Sequence, residues 1–109
     1  MSFRILPTYR FEKELKRLVR KFPSLKKEYA NLLSQLSENP QSRTSLGNEC
    51  FKIRLSIASK GKGKRGGARV ITYIFIRTNT VYLLTIYDKS EVANVTAKDL
   101  KELIVAIKF

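Results

Sequence analysis

At 109 residues the chain is read as one domain, 1–109, needing no linker or second unit and long enough to bury about 60 to 70% of its unfolded surface without disulfides. Hydrophobic residues at 43% exclude a disordered basic tail, and a formal charge of +13 points to nucleic acid, an acidic protein, or both as partners. Histidine is absent, which removes the usual general acid/base and the commonest metal ligand, and the single Cys50 excludes an internal disulfide or a thiolate cluster.

The first residues hold no apolar run of export length, and no eighteen apolar residues follow one another anywhere, so a cytoplasmic protein without membrane contact is expected. Phe3 to Leu6 predicts a short strand ended by Pro7. Thr8 then caps a helix whose Phe11, Leu15, Leu18, Val19 and Phe22 share one stripe, and Pro23 stops it. Leu25, Tyr29, Leu32, Leu33 and Leu36 repeat the stripe up to Glu38-Asn39-Pro40, giving a helical hairpin. Residues 38 to 48 read as polar loop.

Phe51, Ile53, Leu55 and Ile57 alternate with Lys52, Arg54, Ser56 and Ala58, the period of a strand with one face on the core and Lys52 and Arg54 on the other. Lys60-Gly61-Lys62-Gly63-Lys64-Arg65-Gly66-Gly67-Ala68-Arg69 follows, with five cations and four glycines in ten residues. A strand from Ala68 to Arg77, a tight Thr78-Asn79-Thr80 turn and a strand from Val81 to Tyr87 come next. Thr96-Ala97-Lys98-Asp99 has the form of a capping box, opening a helix with Leu100, Leu103, Ile104 and Ile107 on one face. Cys50 is expected to be a buried, inert thiol.

The predicted order is β-α-α-β-β-β-α, a small α+β domain with the helical hairpin on one face of an antiparallel sheet and the opposite face open. Strand alternation would put Arg69, Tyr87 and Lys89 on common faces near the basic loop.

From Cys50 to Tyr87 there is no Asp or Glu, while Lys52, Arg54, Lys60, Lys62, Lys64, Arg65, Arg69 and Arg77 supply eight positive charges. Such one-sign bias over half-buried strands is self-repulsive unless a negative partner relieves it, and phosphate is the expected partner. Gly61-x-Gly63-x-x-Gly66 matches a dinucleotide fingerprint literally, but that motif must follow a strand and open a helix, whereas here it opens a strand. No Walker A order is present either, so no nucleotide cofactor is expected. The bland reading of the loop is a flexible, solvated hairpin edge. Against it, Arg69 sits at a strand entry, where its stem is fixed and its guanidinium can grip a phosphate bidentately. Tyr87 is either a packing residue or one that stacks on a base or donates a proton.

Four segments carry a resemblance to a known family: Pro7-Thr8 leading into Phe11-x-x-x-Leu15, Cys50-Phe51-Lys52-Ile53-Arg54-Leu55, Lys62 to Ile71, and Leu84-Thr85-Ile86-Tyr87-Asp88-Lys89-Ser90-Glu91. Over nearly its whole length the chain resembles the RelE/HigB toxins of type II toxin–antitoxin systems, in their HigB-like branch. The resemblance implies a RelE-like fold and a metal-independent, ribosome-dependent endoribonuclease that cuts messenger RNA and blocks translation. Its partners would be mRNA, the ribosome and a cognate acidic antitoxin. By position it implies Arg69 on the scissile phosphate, Lys62 or Lys64 as base, and Lys89 or Tyr87 serving the leaving group. Lys52, Arg54, Lys60 and Arg65 would bind RNA. Better known RelE members carry a tyrosine a few residues past the last strand, where this chain has Val92 to Thr96. The rival expectations are a ParE-like gyrase inhibitor that cuts no RNA and a basic RNA-binding module without cleavage.

Overall fold

A computed structural model describes residues 2–41, 44–61, 66–92 and 94–107. Strand β1 (Arg4–Pro7) leads into helix α1 (Tyr9–Lys21) and helix α2 (Leu25–Glu38). Strands β2 (Thr44–Gly47), β3 (Cys50–Leu55), β4 (Ala68–Phe75) and β5 (Thr80–Asp88) follow, then helix α3 (Ala97–Val105). They form one sheet in the order β1-β5-β4-β3-β2, with β1 parallel to β5 and every other pair antiparallel.

Thr8 caps α1 as its sequence position predicts: its Oγ1 accepts from the Phe11 amide at 3.2 Å and donates to the Leu83 carbonyl at 3.0 Å. One side chain thereby satisfies a helix terminus and ties it to β5. The α1 stripe and the α2 stripe, with Phe11, Leu18, Leu25, Leu32 and Leu36 buried, pack over Ile53, Val70, Ile74, Val81, Leu83 and Ile86 on the first face of the sheet. At about 1.5 to 3 kcal/mol per fully buried large aliphatic side chain, this layer supplies most of the folding drive.

Two expectations are corrected. Residues 44–47, expected in a polar loop, form β2, joined to β3 by a two-residue turn in which Asn48 and Glu49 both have positive φ (52° and 64°). The pattern Thr-Ser-Leu-Gly is too polar for a period-two signal, and pairing with β3 decides the matter. The second face of the sheet, expected open, is partly covered: Leu100, Leu103 and Ile107 pack on Cys50, Ile71, Leu84 and Tyr87. The predicted capping box starts this helix, with Asp99 N donating to Thr96 Oγ1 at 3.1 Å and Thr96 N to Asp99 Oδ2 at 3.0 Å. Its two buried anchors, Leu100 and Leu103, with Ile107 just past its end, offset roughly 1 kcal/mol of backbone entropy for each ordered residue, so α3 is held by a narrow margin.

A bulge alters the parity assumed from simple alternation. Ile71 pairs with Thr85 but Thr72 pairs with Leu83, leaving Leu84 as the extra residue on β5. Upstream, Tyr82 joins Leu84 in the layer under α3, with Tyr73 opposite and 6.4 Å away between ring centroids.

The ends of the basic loop are fixed. A single 3-10 turn, Ala58–Lys60, docks on the start of α2 through Ala58 N to Glu28 Oε2 (2.7 Å) and Ser59 N to Ser24 Oγ (2.9 Å). At the other end Gly67 lies so close to β3 that an added Cβ would stand 2.1 Å from the Leu55 carbonyl oxygen. Gly67 is therefore a packing requirement and not a source of mobility.

Candidate functional site

Strand register assembles the site. Arg54 of β3 lies opposite Arg69 of β4, and Arg69 lies opposite Tyr87 of β5, so the three form one row across the second face. The next row is Lys52, Ile71 and Thr85. Alternation along each strand puts Lys52 and Arg54 on this face and turns Ile53 and Leu55 toward the helical hairpin.

The row is electrostatically unbalanced. Directly opposed like charges on neighbouring strands repel, and among the described residues neither Lys52 nor Arg54 has a carboxylate partner. Arg69, at a strand entry as expected, is only 5% exposed, with Nη1 donating to the Ala68 carbonyl at 3.0 Å. Burial first, and the neighbouring Arg54 second, lower its pKa, while Tyr87 acts in the other direction. Tyr87 is 6% exposed, and burial raises its hydroxyl pKa despite the opposing pull of Arg69. It is a neutral phenol with a proton to give. Perturbed groups gathered beside one another make this row the candidate site.

Of the other candidate residues, Lys89 is half-buried at the end of β5, with its amide donating to the Gly67 carbonyl at 3.0 Å. That bond ties the exit of the basic loop to the turn after β5. Lys62, Lys64 and Arg65 lie outside the described residues. Lys60, expected among the RNA-binding residues, has its ammonium on the Asp88 carboxylate, with the two side chains 9% and 1% exposed. The same ammonium lies 5.3 Å from the centre of the Phe22 ring. Lys60 is placed as an anchor for the loop, not as a free cation on the face.

Sequence reasoning missed Asp88 and Glu14. Asp88 is the first acid after the acid-free stretch, a signal that could have singled it out as the ion-pair partner. Glu14 looks like an ordinary exposed helix residue in sequence, yet its Oε1 accepts from Thr85 Oγ1 at 2.6 Å and from the Ile86 amide at 3.3 Å. It fastens α1 to the part of β5 that β1 does not reach. Tyr87, with Glu14 and Thr85, also lines a cavity of about 150 Å³ between α1, β5 and the start of α3. Cys50 is fully buried and its thiol is pushed up to about 11, by burial first and Glu49 second, in keeping with an inert thiol.

Several solved structures are similar to this one. A mutant of the E. coli toxin RelE in the free state aligns with a TM-score of 0.65 at 16% identity, over 99% of this chain and 100% of that one. The isolated E. coli RelE toxin gives 0.60 at 14% identity, over 98% and 100%. The toxin–antitoxin complex RelBE2 from Mycobacterium tuberculosis gives 0.55 at 17%, over 81% of this chain and 92% of that one. At these identities the likeness establishes the RelE fold. The sequence itself matches the family described as "RelE toxin of RelE / RelB toxin-antitoxin system" over residues 4–108, nearly the whole chain. This chain therefore belongs to the RelE toxin family.

Proposed function

We propose that this chain is the toxin of a toxin–antitoxin pair that acts as a metal-independent endoribonuclease, cutting messenger RNA held in the ribosomal decoding site. The observation that carries the reading is the Arg54–Arg69–Tyr87 row, in which two arginines oppose each other beside a buried neutral phenol. A bound phosphate relieves that repulsion, and its in-line attack by the adjacent 2′-OH needs the charge stabilisation the row offers.

In this mechanism Arg69 and Arg54 hold the non-bridging oxygens of the scissile phosphate, and Lys52 holds a neighbouring one. Lys62 or Lys64 takes the 2′-OH proton, since a lysine crowded by cations has an accessible neutral form. Tyr87 or Lys89 gives a proton to the departing 5′-oxygen. Attack forms a 2′,3′-cyclic phosphate and releases a 5′-hydroxyl. The ribosome contributes alignment of the strand, so cleavage of naked RNA is weak.

An acidic antitoxin silences the protein by neutralising the basic face or by displacing α3, which few side chains hold. The RelE fold has been solved bound to antitoxin in the complex from M. tuberculosis.

Inducing the chain in a bacterium and mapping RNA ends by primer extension tests the reading. Growth arrest with new 5′ ends inside translated codons, both lost in Arg69→Ala, is the expected result. Intact messages with a DNA-damage response would replace it with gyrase inhibition. RNA binding without cleavage would leave only a basic RNA-binding module.

A further inference from the structure

β5 outruns the strand beside it. On its outer edge β1 pairs only as far as Pro7 opposite Leu83, and the bulge at Leu84 comes where that pairing stops. Past the bulge, register alone puts Tyr87 in the row: Thr85 faces Ile71, Ile86 faces Val70 and Tyr87 faces Arg69. A slip of one residue would turn the Tyr87 ring toward the helical hairpin and bring Ile86 or Asp88 opposite Arg69. A bulged segment that has lost the strand on one side is where such a slip costs least.

Two side chains from α1 and its cap take the place of the missing strand. Thr8 Oγ1 lies 3.0 and 3.2 Å from the carbonyl oxygens of Leu83 and Leu84, at the bulge itself. Glu14 Oε1 accepts from the Thr85 hydroxyl at 2.6 Å and, more weakly, from the Ile86 amide at 3.3 Å, the two residues that follow the bulge and precede Tyr87. The other carboxylate oxygen is 3.5 Å from Arg10 Nε, one turn earlier on the same helix, so the acceptor is oriented from its own side as well. Hydrogen bonds to a carboxylate are stronger than those between neutral groups, which suits a tie made by one side chain.

We infer that Glu14 is a positioning residue for the cut: by holding Thr85 and Ile86 in register past the bulge, it keeps the Tyr87 hydroxyl beside a phosphate gripped by Arg69. The inference rests on the ribonuclease reading and, within it, gives the last proton transfer to Tyr87. The phenol proton passes to the departing 5′-oxygen, and the phenolate regains a proton from water. Glu14 touches no reacting atom. Its loss therefore lowers turnover and leaves substrate binding alone, because Lys52, Arg54 and Arg69 still hold the phosphates. The role needs an acceptor at Oε1 and not a charge, so glutamine, whose carbonyl oxygen also accepts, can replace it.

Cleavage of a message on programmed ribosomes, measured under single turnover with the concentration of the full chain varied, tests it. Glu14→Ala is expected to lower the maximal rate about 10- to 100-fold with the half-saturating concentration within about twofold, while Glu14→Gln stays within about threefold of the unaltered chain. Tyr87→Phe is expected to lose at least as much rate, and adding Glu14→Ala to it to cost less than about twofold more, since a donor already removed cannot be misplaced. Where thermal melts show that Glu14→Ala does not fold, Thr85→Val, which removes the 2.6 Å bond and keeps the branched shape, takes its place in the same cycle. A folded variant that cleaves at full rate, a loss that appears in half-saturation and not in rate, or losses that multiply in the double variant would each overturn the inference. If Arg69→Ala abolishes cleavage in the same assay, the ribonuclease reading survives that outcome. An unaltered chain that cuts no message on ribosomes would remove both.

Discussion

Lys60 at the entry of the basic loop and Asp88 at the end of β5 form a nearly buried ion pair, and Asp88 Oδ1 also accepts from the backbone amide and hydroxyl of Ser90 at 3.0 and 2.9 Å. Burial acts to raise the Asp88 carboxyl, but the bonds from Lys60 and Ser90 outweigh it and hold the carboxyl below its usual value. The pair joins the loop entry to the same turn whose Lys89 amide holds the loop exit. The two ends of the loop are thereby positioned beside the Arg69 row while its middle carries the lysines.

A depressed carboxyl pKa means that the folded state binds its proton less readily than the unfolded chain. The stabilisation is complete above the ordinary carboxylate pKa of about 4 and is lost as pH falls through and below it. Asp88→Asn is expected to cost about 3 to 5 kcal/mol near neutrality, because it strands the Lys60 ammonium, and to flatten the acid limb of the stability curve. Lys60→Met combined with Asp88→Asn should recover much of the loss. Urea unfolding across pH checks each point.

Arg54 opposes Arg69 on the adjacent strand, a like-charge cost that the proposed phosphate contact would offset. Arg54→Gln is expected to raise stability by roughly 0.2 to 1 kcal/mol while weakening RNA binding and cleavage. Thermal melts and anisotropy on the same preparation separate the two effects. Loss of both would show that Arg54 is held by packing rather than strained by its neighbour.

The turn between β2 and β3 places Glu49 at a φ of 64°, a left-handed conformation that side chains with a Cβ avoid. Two-residue hairpin turns with both central residues at positive φ prefer glycine at the second place. Glu49→Gly is expected to stabilise the protein by about 1 kcal/mol without altering RNA cleavage. Denaturant midpoints decide it.

Binding through Lys and Arg releases counterions from the RNA. The logarithm of affinity should fall with the logarithm of salt at about 0.7 per phosphate contacted on a single strand, and several contacts are expected. Arg69→Ala should lower the slope as well as the affinity. A nearly flat response over a salt series would identify the acid-free stretch as solvated surface.

The local sequence alone determined the elements and the charge. Thr8, Pro23 and the Thr96–Asp99 box set helix boundaries through caps and missing amides, interactions that close within one turn. The spacing of Phe11, Leu15 and Leu18 and the alternation from Phe51 to Leu55 marked the faces that reach the core. The acid-free stretch marked a surface of one sign because charge needs no coordinates. Tertiary structure decided the rest. The Arg54–Arg69–Tyr87 row depends on the register of three strands, and the bulge at Leu84 depends on pairing between chain segments that sequence spacing does not encode. Lys60 was indistinguishable from its neighbouring lysines until folding brought Asp88, twenty-eight positions away, against its ammonium. Pairing across that distance turns one cation of the loop into an anchor, because a charge removed from water must be matched by another.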